Sequence, residues 1–117
     1  MKRFLASLLL LASPALAHDA PRNPGGVVAD VGPYHAELVA KGQTIVLYLT
    51  DDANREVQAA PFKGVAILIV DGKPQRIVLS PASGNRLTGL AAAAVSGAPK
   101  GAIQLQTPQG STIQGKL

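Results

Sequence analysis

The sequence predicts a small all-β domain, an antiparallel immunoglobulin-like sandwich of seven or eight short strands. Three observations carry that reading. Apolar residues recur with a period of two through most of the chain, as in "PYHAELVA", "QTIVLYLT" and "AIQLQT", and strand side chains alternate between faces. Turn-forming clusters such as "DDAN", "DG", "SPASGN" and "PQG" separate these runs at short intervals. No amphipathic helix is long enough to cover a sheet. A small closed barrel is the other architecture that fits.

The first 17 residues, "MKRFLASLLLLASPALA", read as a signal peptide. Lys2 and Arg3 precede an apolar run from Phe4 to Ala12, and Ala15-Leu16-Ala17 supplies the small residues a signal peptidase accepts. The run is short of the roughly 20 residues a membrane-spanning helix needs, so no membrane span is expected after cleavage. The expected organisation is a signal peptide over 1–17, a flexible arm over 18–26 and a β-sandwich domain over 27–117, in a periplasmic protein. A cut after Ala15 is the rival and makes Leu16 the first residue.

Each element follows in order. "HDAPRNPGG", from His18 to Gly26, has two prolines, two glycines and no apolar period, and reads as an extended arm. "GVVADV" and "PYHAELVA" come next, with His35, Glu37 and Val39 on one face and Tyr34, Ala36, Leu38 and Ala40 on the other. "QTIVLYLT" is a strand ended by "DDAN". "VAILIV" reads as a strand buried on both faces; Asp71-Gly72, suited to a tight hairpin turn, joins it to "QRIVLS". "RLTGLAAA" is a further strand, with a short helix over "LTGLAAAAV" as the alternative because alanine favours helices. "AIQLQT" and "STIQGKL" form a terminal hairpin around "PQG".

Composition excludes several functions. Cysteine is absent and Met1 is the one methionine, so thiolate catalysis, thiolate zinc sites and thioether ligation are ruled out. Loss of Lys2 and Arg3 lowers the formal charge from +4 to +2. The remaining basic residues are scattered, and Tyr34, Tyr48 and Phe62 are the aromatics beyond the leader. Nucleic-acid binding needs a concentrated cationic face or stacking platforms, and is not expected. No nucleophile elbow, phosphate loop, zinc-protease helix or cofactor fingerprint occurs. The chain reads as no enzyme.

The chemistry that remains lies in two histidines. Cleavage after Ala17 leaves His18 first, offering its α-amino and ring nitrogens to one ion, with His35 as the second imidazole. A three-nitrogen set with oxygen donors suits copper(II). Glu37, on the face of His35, is placed to give an oxygen or to orient the ring. The metal site expected is therefore His18, His35 and Glu37. The plainer reading keeps His35 as a half-exposed strand histidine bonded to Glu37 or to backbone. Asp51-Asp52 reads as a turn former, lacking the six to eight oxygens calcium takes.

The stretches "GGVVADVGPYHAELVA", "IVLYLTDD" and "LSPASGNRLTG" resemble a group of small exported proteobacterial proteins. They are also similar to the N-terminal β-domain of periplasmic adaptor subunits of heavy-metal efflux systems. The shared positions are Gly25, Gly26, His35, Glu37, Leu38, Tyr48, Leu49, Asp51, Asn85, Leu87 and Gly89, over about two-thirds of the chain after the leader. The resemblance implies copper or other metal handling in the cell envelope, with a transition-metal ion and a metal-efflux or envelope protein as partners. An N-terminal histidine ahead of a β-sandwich also resembles periplasmic copper-resistance carriers. The rival expectation is a metal-independent interaction module of an envelope complex.

Overall fold

The computed structural model describes residues 22–117. The expected class is the one observed: eight strands, all antiparallel, and no helix among the described residues. They are β1 (Val27–Val31), β2 (Tyr34–Lys41), β3 (Thr44–Asp51), β4 (Lys63–Val70), β5 (Lys73–Pro81), β6 (Arg86–Leu90), β7 (Lys100–Gln106) and β8 (Thr112–Lys116).

The strands run side by side as β1-β2-β3-β6-β5-β4-β7-β8. The long returns from β3 to β4 and from β6 to β7 make two overlapping Greek keys. One layer is β1-β2-β3-β6 and the other β5-β4-β7-β8. They are continuous through the short pairing of β5 with β6, at Ser80 opposite Thr88 and Pro81 opposite Leu87. At the far ends β1 and β8 come together, where a Cβ added to Gly115 would collide with the carbonyl oxygen of Asp30. The sheet thus curls until it is nearly a barrel and encloses one core, as a sandwich does.

Alternation decides which residues fill that core. Ala36 and Leu38 of β2, Ile45, Leu47 and Leu49 of β3, Leu68 of β4, Leu79 of β5, Leu87 of β6, and Ile103 and Leu105 of β7 are all buried. Burying each large aliphatic side chain contributes about 1.5–3 kcal/mol before its ordering cost. Tyr34 and Phe62 meet edge to face at 5.2 Å and 89°, closing the core under the loop between β3 and β4.

Turn chemistry is as the sequence indicates at Asp71-Gly72, whose φ angles of 51° and 76° suit a type I′ hairpin. Two local expectations change. β4 is buried on one face only: Gly64, Ala66 and Leu68 point inward, while Val65 and Ile67 are half-buried and Ile69 is exposed. Among the described residues no second layer lies outside it. β6 stops at Leu90, and the alanines that follow are neither strand nor helix. The Gln43 amide donates to the carbonyls of Ala91 and Ala92, and Ala91 and Val95 donate backbone bonds to Gln43 and Gly42. These bonds hook the segment over the β2–β3 turn and outweigh alanine's helix preference.

Candidate functional site

The outer face of β1, β2 and β3 carries the polar residues the sequence singles out, because period two sends them away from the core. Register aligns Asp30, His35 and Thr50 in one row across the three strands. It aligns Val28, Glu37, Tyr48 and Arg86 in the next. Glu56 pairs with Thr50 as an isolated bridge and extends the first row.

Both described members of the expected metal set, His35 and Glu37, line one groove of about 280 Å³ on this face, together with Arg22, Tyr48, Thr50 and Glu56. His18, the third member, lies outside the described residues. A partner of the His35 ring is Asp30: Nδ1 lies 2.8 Å from Asp30 Oδ1. An ionised carboxylate only accepts, so in this bond Nδ1 is the donor. The His35 side chain is 23% exposed.

Glu37 is 7% exposed although it points outward. The arm covers it. Asn23 donates its backbone N–H to Glu37 Oε2 at 2.8 Å and its Nδ2 to Oε1 at 3.0 Å. Gly26 makes this approach possible, since a Cβ there would collide with the Glu37 carboxylate. Gly26 N–H also donates to the Asn23 carbonyl at 3.0 Å, and Arg22 Nη2 donates to the Asn54 carbonyl at 3.0 Å. The described end of the arm, read from sequence as flexible, is therefore fastened to β2 and to the loop after β3.

That loop is shaped by Asp51. Its Oδ1 accepts from the N–H groups of Ala53 and Arg55, both at 2.9 Å, and its Oδ2 accepts from Arg55 Nε at 3.2 Å. The Arg55 backbone bond, aided by the Ala53 bond and by the guanidinium, holds the Asp51 carboxyl below its ordinary value against a smaller opposing effect of burial. Asp51 is thus the turn former its sequence context suggests. It also sets Asn54, the anchor for Arg22, and Glu56 beside the groove.

No protein-family model, curated protein or solved structure matches the chain. The site's chemistry therefore rests on its own geometry. Among the described residues no three His, Cys, Asp or Glu side chains form a cluster able to hold a metal. Sequence reasoning passed over Asp30, whose signal was its place in a hairpin: with Gly32-Pro33 as the two-residue turn, Asp30 falls opposite His35. Asn23 was passed over too, and nothing in local periodicity marks it.

Proposed function

We propose that this chain is an exported, periplasmic β-domain that binds a transition metal, copper(II) for preference, with the Nε2 atom of His35 and the amino and ring nitrogens of His18. The supporting observation is the Asp30–His35 pair at the mouth of a groove that Arg22 also lines. A carboxylate that accepts from the far ring nitrogen fixes the tautomer and raises the basicity of the ligating one, the usual second layer of a metal-bound histidine. Four Cα–Cα steps take the chain from His18 to Arg22, a span of at most about 14 Å when extended. Arg22 lines the groove, so this span is the distance a chain start at His18 would have to bridge. Glu37 then acts by fastening the arm through Asn23. The resemblance to efflux adaptor domains supports the same reading and gives a metal-efflux or envelope protein as the partner.

The test is a copper(II) titration of protein beginning at His18, followed by electron paramagnetic resonance. A one-to-one axial spectrum with nitrogen hyperfine structure is expected. It should lose one nitrogen in His35→Ala and collapse when a glycine is added before His18. Spectra unchanged by both alterations would sink the proposal.

A further inference from the structure

The opposite layer carries a second groove, of about 440 Å³, running across the outer face of β5, β4, β7 and β8. Register puts Val78, Val65, Gln104 and Gln114 in one row and Arg76, Ile67, Ala102 and Lys116 in the next; of these, Val78, Val65, Gln104 and Arg76 line the groove. Val78 is 57% exposed and Ile69, further along β4, is 45% exposed. Ile69, Ile67 and Val65 follow one another along β4, so an aliphatic strip leads away from the groove between charged borders.

Those borders have one sign. Lys63 and Arg76 line the groove, no acidic residue does among the described residues, and Lys73, Lys100 and Lys116 lie on the same layer, Lys73 and Lys100 toward its far end. All are exposed. The acid of this layer is Asp71, out in the β4–β5 turn. Asp30, Glu37, Asp51, Asp52 and Glu56 all belong to the other layer or its loop. Lys63, Lys73, Arg76, Lys100 and Lys116 thus share one layer, while Arg22, Lys41, Arg55 and Arg86 belong to the other layer, its arm or its loop.

We propose that this groove binds a single anionic amphiphile, an aliphatic chain bearing a carboxylate or phosphate. The chain lies across Val65 and Val78, and Lys63 in the row on one side and Arg76 in the row on the other supply the charge for the anionic group. The groove's volume is that of a small-molecule site. Aliphatic burial supplies the attraction, and the flanking cations supply the preference for an anion. A bilayer surface fits less well, because the face has no Trp or Tyr of the kind that anchors proteins at the membrane interface. The site is independent of His35 and lies on the other layer.

Calorimetry and NMR with decanoate below its micelle concentration test it. One saturable site is expected, with shifts concentrated at Val65, Val78 and Gln104. Binding of 1-decanol should be about tenfold weaker, and Val78→Asp or the pair Lys63→Gln with Arg76→Gln should weaken decanoate by about tenfold. Circular dichroism should show each variant folded, and Arg76→Lys should retain most of the binding. No saturable decanoate binding, equal binding of the alcohol, or association only with phosphatidylglycerol vesicles overturns the proposal.

Discussion

Asn23 and Glu37 are joined twice, backbone N–H to Oε2 at 2.8 Å and Nδ2 to Oε1 at 3.0 Å, and the pair is what seats the arm on β2. The carboxylate is almost wholly covered, so these bonds replace the water it would otherwise hold.

Asn23→Ala removes one donor and leaves a covered carboxylate oxygen short of a partner. The expected cost is about 1–3 kcal/mol in urea unfolding. Limited trypsin digestion should cut after Arg22 faster than in the parent. Equal cleavage rates would mean that Asn23 does not hold the arm.

Asp30→Asn keeps the size of the side chain and loses the charge that supports the His35 ring. Under the metal reading, copper affinity should fall about tenfold to a hundredfold. The number of coupled nitrogens in the paramagnetic spectrum should stay the same. That combination separates a residue that positions the ligand from one that is itself a ligand, whereas His35→Ala should change the nitrogen count.

Asp51 gives a pH dependence with a definite sign. Its folded-state pKa lies below the ordinary 3.8, so the stability it adds is present above that value and is lost as pH falls through the lower, folded-state one. Asp51→Asn should lower the unfolding midpoint at neutral pH and flatten the acid limb of the midpoint–pH curve. Parallel curves for the two proteins would exclude the role.

Gly115→Ala forces a Cβ against the Asp30 carbonyl. Because the obstacle is backbone, β1 and β8 must move apart, and a loss of about 1–3 kcal/mol is expected. Thermal unfolding measures it. Gly110→Ala, where a Cβ meets open space but φ is 88°, gives a comparison that strains a turn without separating the strands.

Much of this fold was legible because one local rule, alternation, acts at every strand. Leu38, Leu47 and Leu87 are buried where period two puts them, and Asp71-Gly72 turns where its chemistry allows. The polar row of the site was half legible. His35 and Glu37 share a face by the same rule, yet their partners come from pairing between segments. Asp30 meets His35 through hairpin register, and Asn23 reaches Glu37 from fourteen residues away. The burial of β4 was over-read because a continuous apolar run looks the same whether both faces are covered or one face is left as an aliphatic strip. The alanines after Leu90 illustrate the converse, a local preference overruled by the Gln43 amide.

The contact between Gly115 and Asp30 has a mechanical side. One residue offers its main chain to the last strand and its carboxylate to an imidazole. The seam where the curled sheet meets itself and the support of the imidazole therefore run through a single residue.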